Sequence, residues 1–137
     1  MQRGSAVSDV MPRRRVLIID DEALVASALR RCLLRDHDVT VSTEPVDALA
    51  ELRAGARYDI VLCDLMMPTL GGLALHAELA VFAPEQAERV VFMTGGIQTA
   101  EVRELLGRTR NRCISKPCTV QEVRRAVEAM PPWSTPA

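Results

Sequence analysis

Five short apolar or β-branched runs punctuate the chain: Val16–Ile19, Val39–Val41, Ile60–Cys63, Val90–Met93 and Cys113–Ile114. Four are almost continuously apolar, the pattern of strands covered on both faces. Val39–Val41 alternates with Thr40 and suits a strand nearer an edge. Helix-period segments lie between the runs. Leu24, Ala28, Leu29, Cys32 and Leu33 form one stripe. Val46, Leu49, Ala50 and Leu52 form a second, just after Pro45, a residue favoured in a first helical turn. Leu75, Leu79 and Phe82 mark a third helix, and Val102, Leu105 and Leu106 a short fourth. Val120, Val123, Val127 and Met130 mark a fifth, opened by the capping box Thr119-x-x-Glu122. Strands alternating with helices predict βαβ units, with a parallel sheet between two helical layers. In such sheets ligands gather beyond the carboxyl ends of the strands.

The residues just past the strands share a chemistry. The first run ends in Asp20-Asp21, the third in Asp64, the fourth in Thr94-Gly95-Gly96 and the fifth in Lys116-Pro117. Three carboxylates brought together repel one another, and a bound divalent cation removes that cost. A set of hard oxygen ligands without His or Cys selects Mg²⁺ or a similar ion (Mn²⁺) over zinc. An aspartate beside such an ion can attack phosphorus and form an aspartyl phosphate. The transferred group needs positive charge and donors around its oxygens. Lys116 supplies the charge, and Thr94 Oγ with nearby backbone N–H groups supplies the donors. Lys116 is also the chain's one lysine, against 16 arginines. A compact ammonium suits a crowded anion site better than a planar fork.

Composition narrows the function classes. The chain has 137 residues, 48% hydrophobic and 26% charged, which suits one globular domain. Its net charge of −1 gives no basic surface for nucleic acid. Four aromatic residues leave base stacking little to work with. No apolar run is long enough to span a bilayer, and no secretory signal is present, so a cytoplasmic location is expected. The four cysteines read as reduced and mostly buried thiols. Residues 1–12 read as a flexible lead-in, 13–130 as the domain and 131–137 as a Pro-rich tail or linker. Arg13-Arg14-Arg15 reads as a solvated edge before the first strand, and His37 and His76 as solvated or structural. No G-x-x-x-x-G-K-[ST] occurs, which sets aside a P-loop nucleotide enzyme.

Each feature alone has a plainer reading. Asp20-Asp21 is a common helix N-cap, Asp64 precedes a Pro/Gly turn, and Thr94-Gly95-Gly96 and Lys116-Pro117 are ordinary loops. Together, in the order VLIIDDE, VLCDLMMPTLGG, VVFMTGG and CISKP, they resemble the receiver domain of two-component response regulators. The resemblance covers roughly residues 14 to 130. It implies a flavodoxin-like (βα)5 three-layer sandwich with parallel strand order 2-1-3-4-5. It also implies Asp64 as phospho-acceptor, Asp21 as direct metal ligand with Asp20 assisting, and a metal contact from the Met66 carbonyl. Thr94 would be the switch hydroxyl and Lys116 the partner of a phosphoryl oxygen, with a cis Lys116–Pro117 bond. The implied partners are a histidine kinase or phosphotransfer protein upstream and a protein effector, or attached kinase domains, downstream. Such a domain catalyses only its own phosphorylation and dephosphorylation. The alternative is a receiver-fold interaction module that works without phosphorylation. One position departs from the family pattern: receivers usually carry Tyr or Phe three residues before the lysine, and here Cys113 stands there.

Overall fold

The computed structural model describes residues 12–96 and 99–133. Five strands form one parallel sheet: β1 (Arg15–Ile19), β2 (Asp38–Ser42), β3 (Ile60–Asp64), β4 (Val90–Gly95) and β5 (Cys113–Lys116). Their order is β2-β1-β3-β4-β5, the flavodoxin-like order that the motifs imply. The helices are α1 (Ala23–Leu33), α2 (Pro45–Arg53), α3 (Gly72–Phe82), α4 (Ala100–Arg108) and α5 (Val120–Ala129). A single helical turn, Pro84–Ala87, was not expected from periodicity. It is held by Gln86, which is fully buried and both accepts from the Tyr58 N–H (2.8 Å) and donates to the Tyr58 carbonyl (3.0 Å).

Side chains alternate across the sheet and divide the interior in two. Leu17, Ile19, Val61, Cys63, Val90 and Phe92 face α2 and α3. Val16, Ile18, Ile60, Leu62, Val91 and Met93 face α1 and α5. Both faces of β1, β3 and β4 are therefore covered, and burying each large aliphatic residue contributes roughly 1.5–3 kcal/mol. β2 is an edge strand, as its alternation predicts. β5 is the other edge, so it is not covered on both faces: Cys113 and Ser115 are exposed and only Ile114 is buried.

Helix faces differ from the expected stripes in a consistent way. On α1 the buried residues are Ala26, Leu29 and Leu33, whereas Leu24 is 86% exposed and Ala28 is exposed. On α2 they are Pro45, Ala48, Leu49 and Leu52, with Val46 and Ala50 outside. α4 buries no residue, although Val102 and Leu106 lean on the core. On α5 Val123, Ala126 and Val127 are buried and Val120 is exposed. The Thr119/Glu122 capping box is present in full. The cysteines are all free but not mostly buried: Cys63 is buried, Cys32 and Cys118 are intermediate and Cys113 is exposed.

The arginine triplet is a solvated edge only at Arg13 and Arg15. Arg14 is 3% exposed, because its guanidinium donates to the carbonyls of Met130 (3.1 Å), Glu128 (3.0 Å) and Pro12 (2.5 Å). It thus ties the chain before β1 to the end of α5. His37 packs beside it, 1% exposed. Its Nδ1 accepts from the Arg14 backbone N–H at 3.0 Å, so the neutral ring carries its proton on Nε2, which has no partner among the described residues. Burial lowers the His37 pKa, the Arg14 charge lowers it further and Asp36 and Glu128 partly oppose. Burial lowers that of His76 as well.

These shifts predict acid sensitivity. The unfolded chain takes up protons near pH 6.5 while the folded chain resists them, so stability is full above that pH and falls as pH drops below it. Each histidine contributes at most about 1.4 kcal/mol per pH unit. His37→Asn keeps an acceptor near Nδ1 and removes the titration. Urea midpoints between pH 7 and 5 are expected to fall less steeply in this variant than in the wild type. Equal slopes would assign the acid sensitivity elsewhere.

Candidate functional site

β1 and β3 are neighbours, with Ile19 opposite Cys63, so Asp20 and Asp64 leave adjacent strands at the same end of the sheet. One ligand oxygen from each of Asp20, Asp21 and Asp64 lies within 4.8 Å of the others. Asp20 is fully buried and Asp64 is 4% exposed, while Asp21 is the more open of the three. Asp20 Oδ1 accepts from the Glu22 backbone N–H (3.0 Å), which fixes the carboxylate at the start of α1. β5 brings Lys116 to the same place. Its Nζ lies 2.8 Å from Asp20 Oδ2 and 3.4 Å from Asp64 Oδ1. Thr94 is buried on β4, one residue past the partner of Asp64 in the ladder, and is paired with Ser115. Gly96, with φ 85°, turns the chain out of β4 in a conformation that glycine adopts without strain. The Lys116–Pro117 bond is cis.

A family model, described as the response regulator receiver domain, matches residues 16–128. The chain belongs to this family. Among curated relatives, the transcription factor SKN7 of Candida albicans is 26% identical over 120 residues, covering 87% of this chain and 21% of that protein. The sensor histidine kinase AruS of Pseudomonas aeruginosa is 30% identical over 115 residues, 82% of this chain and 11% of that protein. The receiver thus spans only a small part of either relative. Its fold matches the solved receiver domain of the Francisella response regulator 1452 with a TM-score of 0.72 at 24% identity, covering 86% of this chain and 96% of that one.

The receiver's rim has a defined electrostatic balance. Burial raises the Asp64 pKa and the Asp20 charge adds to this, while Lys116 and a hydrogen bond from the Met66 backbone oppose. Burial alone would lower the pKa of Lys116. Its hydrogen bond to Asp20 and the charges of Asp20 and Asp64 outweigh that, and the net shift is upward. The ammonium is therefore held charged between two carboxylates. The oxygens that remain are hard donors in a small space, which fits a divalent cation with several of its own waters. Met66 sits two residues beyond Asp64 and is 65% exposed.

Two features of the site escaped sequence reasoning. Gly72 lies beneath the loop that follows β3: a Cβ built there would meet the Asp64 carbonyl oxygen at 2.5 Å and Leu65 Cα at 3.1 Å. Its N–H donates to the Leu65 carbonyl at 3.0 Å. The sequence signal was there, in Gly71-Gly72, but read only as a turn. The second is a groove of about 530 Å³ beside Lys116, between α1 and the loop into α5. Leu24, Ala28, Cys32, Pro117, Cys118 and Val120 line it. Leu24, Ala28 and Cys32 of the stripe expected on α1 face this groove, while Leu33 is in the core. Cys113, on the outer edge of β5, lies three residues before the ammonium-bearing lysine.

Proposed function

We propose that this receiver domain takes a phosphoryl group from a phosphorylated histidine onto Asp64 and changes conformation in response. The observation that carries the reading is the packing of three carboxylates within 4.8 Å of one another, with the chain's one lysine bridging two of them. An Asp64 oxygen attacks phosphorus, the N–P bond breaks, and its electron pair stays with the donor imidazole. Attack by water on the acyl phosphate returns Asp64 and inorganic phosphate. Lys116 and the Thr94 hydroxyl pair with phosphoryl oxygens, where negative charge develops. Asp20, Asp21 and Asp64, with the Met66 carbonyl, would hold Mg²⁺ or Mn²⁺, which when bound would neutralise charge on the transferred group. Occupation of Asp64 then biases the domain between two conformations through Thr94.

The donor histidine must reach a buried rim, so its carrier docks against the elements around it. The apolar groove by α1, with Leu24 86% exposed at its edge, suits a helix from a histidine kinase or phosphotransfer protein. Residues 13–130 form the signalling module, with 1–12 leading in and 131–137 leading out. A cytoplasmic place fits a partner of this kind, and no helix among the described residues is long and apolar enough to cross a membrane. The relative named as a sensor histidine kinase supports attachment to kinase domains as one context, and the one named as a transcription factor supports a downstream effector as another.

Incubation with acetyl phosphate and Mg²⁺, followed by intact mass, tests the reading. The wild type is expected to gain one phosphoryl group, and both Asp64→Asn and chelation of Mg²⁺ are expected to abolish the gain. Equal labelling of the variant would remove Asp64 as acceptor. No labelling of the wild type would favour an interaction module that works without phosphorylation.

A further inference from the structure

The end of the sheet opposite the carboxylates holds a second concave site. A cleft of about 450 Å³ opens there between the amino ends of β1 and β3 and the residues that follow α5. Arg13, Arg15, Arg57, Tyr58, Asp59 and Trp133 line it. Its charge is lopsided, because three guanidiniums share the cleft with one carboxylate. That carboxylate is already engaged: Asp59 Oδ1 accepts from the Trp133 backbone N–H (2.6 Å) and Oδ2 from the Arg15 backbone N–H (2.7 Å).

The guanidiniums are not equally committed. Arg13 donates to Asp38 and to the carbonyls of Leu34, Arg35 and His37, so it adds field and little else. Arg57 uses only Nη1, on the Leu52 and Ala56 carbonyls. The Arg15 guanidinium has no hydrogen-bond partner among the described residues and lies 5.2 Å from the centre of the Tyr58 ring. The chain is poor in aromatic residues, yet two of its four line this cleft. Trp133 is fixed in place by Asp59 and by the Arg89 guanidinium, 4.8 Å from its ring centre.

We propose that this cleft binds a planar aromatic anion of the nucleoside monophosphate class. The uncommitted nitrogens of Arg15 and Arg57 take the phosphate, for which a guanidinium fork is well shaped. The base lies against the Arg15–Tyr58 stack and the indole. The volume falls within the roughly 300–1,000 Å³ of small-ligand sites. Residues 131–133 continue directly from α5, so a ligand here touches the segment by which the chain leaves the domain.

Trp133 is the chain's one tryptophan and reports on the cleft directly. The full 137-residue chain is titrated with AMP and GMP while its fluorescence is followed. A saturable change with a dissociation constant below about 1 mM is expected for at least one of them. Adenosine alone and inorganic phosphate alone are expected to bind about tenfold more weakly, and Arg15→Gln with Arg57→Gln to weaken the nucleotide by about tenfold or more. Should the double variant fail to fold, Arg15→Gln alone makes the comparison, since that guanidinium holds no hydrogen bond among the described residues and only lies over the Tyr58 ring. The proposal is overturned if neither nucleotide gives a saturable change up to about 10 mM. It is equally overturned if inorganic phosphate or adenosine binds as tightly as the nucleotide, or if the arginine variants bind unchanged.

Discussion

Gly72→Ala is expected to destabilise the receiver by about 2 kcal/mol and to lower phosphoryl uptake at Asp64. Two effects oppose each other. Alanine is the better helix former by about 1 kcal/mol, and Gly72 opens α3. The added methyl would meet the Asp64 carbonyl oxygen at 2.5 Å and Leu65 Cα at 3.1 Å. Both are backbone atoms at the end of β3, so neither can turn aside as a flexible side chain would. Forcing a methyl into such a space costs typically 1–3 kcal/mol and sometimes more. The steric term wins, and relief comes by moving the residue that carries the carboxylate. Gly107→Ala is the matched control. It lies in α4, nothing stands within 4 Å of its added Cβ, and only the propensity gain applies. Urea midpoints should therefore move in opposite directions for the two variants, with acetyl phosphate labelling reduced in Gly72→Ala alone. A Gly72→Ala midpoint at or above that of the wild type would show that the loop yields without cost.

The contrast between these glycines shows what a sequence hides. Both sit in helical segments, and although Gly72 follows Gly71 in a Pro/Gly turn, nothing along the chain shows that a backbone carbonyl lies against it. Strand positions were legible because a strand buried on both faces has only one composition open to it, and β1, β3 and β4 have it. β5 is equally apolar at Cys113 and Ile114 yet lies at an edge, where strand order and not local composition sets exposure. Helix faces were harder. On α1 the residues Leu24 and Ala28 are apolar and in phase with Cys32, but they line a groove beside Lys116 instead of the core. Helical periodicity reports that a surface is apolar and is silent on whether the chain itself covers it. Arg14 was misread for a related reason. Its charge is satisfied by three carbonyls, two of them more than a hundred residues away, and no local pattern announces such partners. The rim was legible because its residues each close a strand: once the strands are placed in a parallel sheet, Asp20, Asp21, Asp64, Thr94 and Lys116 converge without further assumption.

Lys116→Met is the sharpest probe of that convergence, and its expected effect depends on the cation present. In chelator, the substitution leaves Asp20, fully buried, beside Asp64 and Asp21 with no compensating charge. Removing one partner of a buried ion pair costs about 3–5 kcal/mol. The lower end applies here, because Lys116 is partly open to solvent. Mg²⁺ reverses the balance. The ammonium at 2.8 Å from Asp20 Oδ2 competes for the same oxygens that a cation would use, so the variant is expected to bind Mg²⁺ more tightly than the wild type. A ligand that binds only the folded state stabilises it by RT ln(1 + [L]/Kd), about 2.7 kcal/mol at a hundredfold excess over Kd. Thermal melts with and without Mg²⁺ should then show a deep loss of stability in chelator and a larger Mg²⁺-induced rise for Lys116→Met than for the wild type. With Mg²⁺ present, phosphoryl uptake is expected to stay impaired, since the ion restores charge balance but not the ammonium proposed to meet the transferred oxygen. A stability loss of the same size with and without Mg²⁺ would mean that Lys116 does not compete with the ion, and no Mg²⁺-induced rise in either protein would mean that the three carboxylates do not hold it.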